Sequence, residues 1–198
     1  MHFQAARATV GGLVLGLGVL AGCSDDGVAD EEAARLAYLG LDAGVERALG
    51  LGFDGFNAAK SANIPTQEGK GDKSGTMTVI GQVDQGSSDN KGMRLDVSLA
   101  QYEDGPVEEV EITYDTQAPL ALDLTMKGLP SAELTGTFNG DVTLAGGLEG
   151  PVTLTLTLSG TTEADPADAA RIRRVPGGTH IVGTATSDYG TYDVDVTR

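Results

Sequence analysis

A mainly β fold of the α+β class is what this sequence predicts: an N-terminal amphipathic helix packed on a curved antiparallel meander of seven to eight strands. Three observations carry that expectation. Apolar residues recur at three- and four-residue steps from Leu36 to Phe53, the mark of a helix with one broad buried face. From Thr76 onward the period falls to two, as in half-buried strands. No helical segments separate the alternating stretches, and without crossovers consecutive strands pair antiparallel. Each stretch offers one apolar face, which the sheet must cover with itself or with the helix. A strongly curved sheet, or an open barrel, with residues 36–56 plugging its concave side meets both demands.

The elements follow in order. Asp30, Glu31 and Glu32 place negative charge where a helix N-terminus favours it. Leu36, Tyr38, Leu39, Leu41, Val45, Ala48, Leu49 and Phe53 then form the apolar face. Gly40, Gly44, Gly50, Gly52 and Gly55 oppose the helix, since each costs up to about 1 kcal/mol relative to alanine in its interior. A break is therefore expected around Gly50 to Gly55. The spacing of Gly40 and Gly44 points to tight contact with a sheet. Ile64-Pro65 ends the helical region, and Thr66 to Gly75 reads as a loop.

Strands are expected over Thr76 to Val83, Met93 to Ala100, Glu109 to Asp115 and Leu120 to Lys127. Leu134 to Leu144 follows, interrupted by Asn139-Gly140, which fits either a two-residue hairpin turn or a bulge in one long strand. Val152 to Leu158, interleaved with threonines, is the cleanest strand. Thr161 to Gly178 reads as a long loop, and Thr179 to Ser187 with Thr191 to Thr197 as a hairpin around Tyr189-Gly190.

The segment ahead of the helix concerns location. Arg7 is the one charged residue among the first nine, and Val10 to Leu20 is an unbroken run of Val, Leu and Gly, too short to span a bilayer. Leu20-Ala21-Gly22-Cys23 closes this signal peptide and resembles the lipobox of bacterial lipoproteins. The resemblance covers about the first two dozen residues. It implies cleavage before Cys23, recognition of Leu20, Ala21 and Gly22, and acylation of Cys23, leaving residues 23–30 as a lipidated acidic tether and residues 31–198 as a single domain. Ser24 stands where inner-membrane lipoproteins of enterobacteria carry Asp, so the resemblance implies the outer membrane rather than the inner. Several acyl chains at about 0.8 kcal/mol per buried CH2 give a lasting anchor.

The chain's formal charge is −16 over 198 residues, and loss of Arg7 with the signal makes it more negative still. Such a charge repels nucleic acid and anionic membrane surfaces and suits cationic partners. Cys23 is the single cysteine, so once it carries lipid no disulfide, thiol nucleophile or cysteine metal site remains. No cofactor is expected.

Several catalytic patterns occur in part, and none is complete. His180 is the histidine left after cleavage, and Thr179-His180-Ile181-Val182 reads as a strand with the imidazole exposed. Lys73-Ser74-Gly75-Thr76 and Ser88-Asp89-Asn90-Lys91 imitate the boxes of penicillin-binding enzymes in the wrong order and spacing. The stretch Gly69 to Ser74 imitates a phosphate loop but has Asp72 where the glycine before lysine belongs. Glycosidase chemistry needs two inward-facing acids, usually beside aromatic platforms; the acids here alternate outward and the chain has no Trp. Calcium could be held by Asp84, Asp89 and Asn90 or by Asp25, Asp26 and Asp30, but neither stretch follows the helix-loop-helix pattern.

Two function classes survive. One is a non-enzymatic, lipid-anchored envelope protein that serves a structural role or binds another envelope protein through a threonine-rich, acidic sheet face. The other is a carrier of a lipid or other hydrophobic ligand, held in a cleft lined by Leu36, Val45, Phe53 and Phe56; its helix-then-meander order is similar in outline to periplasmic lipoprotein carriers. Leftover apolar volume of a few hundred Å3, on the order of ordinary ligand sites, would favour the carrier.

Overall fold

The computed structural model describes residues 30–198. Leu20, Ala21, Gly22 and Cys23 lie outside the described residues. Helix α1 runs over Asp30–Ala58, and ten strands follow: β1 Gln67–Lys70, β2 Ser74–Val83, β3 Asn90–Glu103, β4 Ile112–Asp115, β5 Leu120–Lys127, β6 Glu133–Gly146, β7 Gly150–Asp165, β8 Asp168–Arg174, β9 His180–Ser187 and β10 Gly190–Thr197. All pairings are antiparallel. The fold is therefore mainly antiparallel β with one N-terminal helix.

The strands form one meander in which two positions are each shared by two strands. β4 and β5 both lie between β3 and β6, pairing Tyr114 with Tyr102 and Leu120 with Val97, and residues 116–119 interrupt what is otherwise a single strand. Likewise β8 pairs the far end of β7 and β9 its near part, with residues 175–179 between them. β1 and β10 are the two edges and do not pair with each other.

The helix occupies the space between those edges. It lies against β1 to β4 on one side and β8 to β10 on the other, while β5 to β7 face it across the core. Alternation does the rest: Leu95, Leu122, Phe138, Leu154 and Ile181 point inward from successive strands and are buried, while the residues between them face solvent.

Four expectations are corrected. The helix does not break at Gly50 to Gly55. Four of its glycines are points of close approach: an added Cβ would lie 2.1 Å from Tyr114 Oη at Gly40, 3.2 Å from the Tyr102 ring at Gly44, 2.8 Å from Leu95 at Gly52 and 2.7 Å from Ile64 at Gly55. Tertiary packing overrides propensity here, and the tight sheet contact expected at Gly40 and Gly44 is what the structure has. The loop Thr66 to Gly75 contains β1, an edge strand on β2 with Gly69 under Arg47 and Leu51.

The strand expected from Glu109 begins only at Ile112, because Val107 and Val110 exchange two backbone hydrogen bonds around Glu108 and Glu109, whose φ angles are 49° and 72°. That is a two-residue turn with both central residues left-handed. The loop Thr161 to Gly178 is instead the β7–β8 hairpin, turning at Asp165 to Asp168. Asn139-Gly140 is not a hairpin turn: β6 pairs β7 without a register break through both residues, and Gly140, at φ 142°, marks where its other neighbour changes from β5 to β4.

Candidate functional site

The trough between helix and sheet is where a hydrophobic ligand would sit, and its residues come from every layer of the fold. Leu36, Val45 and Phe53 project from the inner face of α1 at 2%, 2% and 5% exposure, and Phe56 is half-buried against the same core. Because Gly40, Gly44, Gly52 and Gly55 let the helix approach the sheet so closely, the strands' side chains reach its backbone. An apolar void between Val45, Met77, Leu120 and Phe138 measures about 10 Å3. One water molecule needs roughly 10–15 Å3. Of the four residues expected to line a cleft, Leu36, Val45 and Phe53 are thus packed core strung along α1 and Phe56 is half-buried near its end, while Phe53 also borders an open cleft beneath β8.

The helix is pinned by polar contacts at its flanks. Tyr114 Oη donates to the carbonyl of Ala37 at 3.1 Å, and Tyr38 Oη donates to Asp42 Oδ1 at 3.2 Å while its ring stacks on Tyr192 with centroids 5.7 Å apart. Burial pushes the Tyr38 phenol up to about 12 and raises those of Tyr102 and Tyr114 further. Arg47 Nε donates to Tyr102 Oη at 2.8 Å, and that hydroxyl donates in turn to Asp104. This array clamps mid-helix to the end of β3.

The convex face carries the polar residues that alternation sends outward. Register sets three rows across β6, β7 and β9: Thr135, Ser159 and His180; Asn139, Thr155 and Thr184; and Asp141, Thr153 and Thr186. Thr153 donates to Asp141 at 2.6 Å, and His180 Nε2 lies 2.7 Å from Asp195 Oδ1. The histidine is exposed on a strand, as its sequence context predicts. Asp123, Asp141, Asp193 and Asp195 give this hydroxyl-rich surface its acidity.

The imitated motifs dissolve into ordinary contacts. Lys73 pairs with Glu103 at 3.0 Å and Glu111 at 2.5 Å, and Ser74 Oγ donates to the carbonyl of Gln101. Asp84 accepts from Gly92 N at 2.9 Å and Arg94 at 3.0 Å, contacts that lower its carboxyl below the usual range, the arginine contributing most. Asn90 Oδ1 accepts from Gly128 N.

Sequence reading missed the β7–β8 hairpin, which folds back over the C-terminal half of α1. Asn57 holds it: Nδ2 donates to the Ile172 carbonyl at 2.8 Å and Oδ1 accepts from Ile172 N at 2.8 Å, so one amide side chain replaces a strand partner along the free edge of β8. Arg171 reaches Asp54 at 2.9 Å and Arg174 reaches Glu46. The signal was the alternation of Arg171, Ile172 and Arg173, too short to stand out.

Compared with known proteins, the chain matches no family model, no curated protein and no solved structure.

Proposed function

We propose that this chain is a lipid-anchored cell-envelope protein, acylated at Cys23 and held at the outer membrane, whose folded domain is a non-enzymatic structural or protein-binding module. The observation that carries the choice of module over carrier is the packed trough, whose residual void of about 10 Å3 is far below the roughly 300 Å3 at which small-molecule sites begin. Support for the binding surface comes from the convex face. Its threonines bear short side chains that lose little entropy on docking, and its carboxylates favour a basic partner. The Leu20-Ala21-Gly22-Cys23 motif supports the anchor.

Mass spectrometry of membranes from the native host tests the anchor: the expected chain starts at Cys23 and carries added acyl mass, and Cys23→Ser moves the protein to the soluble fraction. A Cys23→Ser protein that stays with the membrane overturns the anchor. Native mass spectrometry of the gently extracted protein tests the module, with a domain free of bound lipid as the expected result. A stoichiometric lipid retained after the anchoring chains are accounted for would return the protein to the carrier class.

A further inference from the structure

A second, more open cleft lies along the flank of α1 beneath β8 and shares Phe53 with the packed trough. Its floor is the solvent-facing stripe of α1 at Glu46, Gly50 and Asp54, its roof is β8 with the loop that follows, and it encloses about 290 Å3, near the lower end of small-molecule sites. Two features of it bear on what it could hold.

The first is charge. In a chain of net charge −16 with 13 Lys and Arg in all, four arginines line this one cleft, Arg171, Arg173, Arg174 and Arg198, beside the carboxylates of Glu46, Asp54 and Asp165, and Arg198 is paired with Asp42. No lysine lines it. Arginine is the cation whose planar fork matches a carboxylate or phosphate. Each guanidinium has five N–H donors. Arg171 donates one to Asp54, Arg173 two to Glu163, and Arg174 one each to Thr179 and Glu46. The pairs of Arg171 and Arg173 are about 40% or more exposed on at least one side, and such pairs are worth only ~0–1 kcal/mol. An incoming oxyanion can therefore recruit both arginines without a large loss.

The second is Gly50. Every other glycine of α1 is required by a side chain within about 3.2 Å of where its Cβ would be, whereas at Gly50 nothing lies within 4 Å. A mid-helix glycine costs up to about 1 kcal/mol relative to alanine, and packing gives no return for it at this position. What its missing side chain does is leave the floor of the cleft open. Phe53, Ile172, Val175 and Pro176 supply apolar surface beside that opening.

We propose that this cleft binds a small, soluble organic anion: a carboxylate or phosphate monoester with a compact apolar body, its oxygens held by Arg171 and Arg173 and its body over Gly50. The site is independent of the anchor at Cys23 and of the convex face.

The test is calorimetric titration of the full chain with benzoate, phenyl phosphate and inorganic phosphate. Saturable binding of at least one aromatic anion is expected, about tenfold or more tighter than inorganic phosphate because only the former uses the apolar wall. Gly50→Met puts a side chain on the floor from a Cβ that meets nothing within 4 Å, and should weaken that binding by about tenfold or more while leaving the melting temperature at or above the parent's. The double variant Arg171→Gln, Arg173→Gln should weaken it by a similar factor, and Arg94→Gln on the convex face should not. Absence of saturable aromatic-anion binding, equal affinity for inorganic phosphate, or binding that survives both Gly50→Met and the double arginine variant would each overturn the proposal. Displacement of the probe by phosphatidylglycerol vesicles would also overturn it, in favour of a lipid headgroup.

Discussion

At the scale of single residues, glycine is put to opposite uses along one helix. Gly40 faces Tyr114, whose hydroxyl is bonded to the Ala37 carbonyl and cannot withdraw without losing that bond. Gly40→Ala gains helix propensity yet must displace a buried phenol. The expected net loss is about 1–3 kcal/mol of stability, the usual range for overpacking. Gly50→Ala meets nothing and should gain about 0.5–1 kcal/mol. Urea unfolding of the two variants checks the pair: opposite signs are expected, and two stabilised proteins would show that the helix stands further from the sheet than described. Helical spacing sets Gly50 off the face that Gly40, Gly44, Gly52 and Gly55 share, but it does not show which side chain each of those four meets.

At the scale of elements, legibility followed periodicity. The strands that alternate over six or more residues, such as Leu120 to Lys127 and Val152 to Leu158, were readable because burial on one face enforces a period of two. β1 and β8 were not, because β1 is a short edge strand and the residues of β8 are exposed or half-buried, leaving no apolar signal. The turn at Glu108 and Glu109 was missed for a different reason, since it holds left-handed residues without the Asn or Gly that normally announce such turns.

β8 instead owes its place to Asn57. Asn57→Ala removes both hydrogen bonds to Ile172 and should cost about 1–3 kcal/mol, with exchange protection lost first at Arg171 to Arg174 and retained in β6 and β7. Hydrogen exchange with mass spectrometry separates the two regions. Uniform loss of protection would mean that the hairpin is not an independent unit. The trough residues Leu36, Val45 and Phe53 were correctly placed on one apolar face, but whether that face is lined or filled depends on how near the glycines bring the backbone, which no pattern of hydrophobicity encodes.

For the whole molecule, the interior is closed by phenols as well as aliphatic side chains. Tyr38, Tyr102 and Tyr114 are fully buried, and burial holds each of them neutral above its ordinary range, Tyr38 up to about 12. In the unfolded chain they ionise near pH 10. The folded state then binds more protons than the unfolded one, so stability falls as pH rises through the window from about 10 to 12. A spectroscopic titration should show part of the tyrosine absorbance change coinciding with loss of circular dichroism rather than preceding it. If all five tyrosines ionise freely near pH 10 in a folded protein, the three phenols are not sequestered.

The position of α1 between β1 and β10 also sets when the protein can become itself. Ala34 sits beneath Gly190, Tyr38 stacks on Tyr192, and Asp42 pairs with Arg198, so residues near the start of the helix are completed by those of the final strand. A chain made from its amino end delivers the helix first and its seat last. Until β10 follows, the helix lacks the partners that Gly190 and Tyr192 give it there.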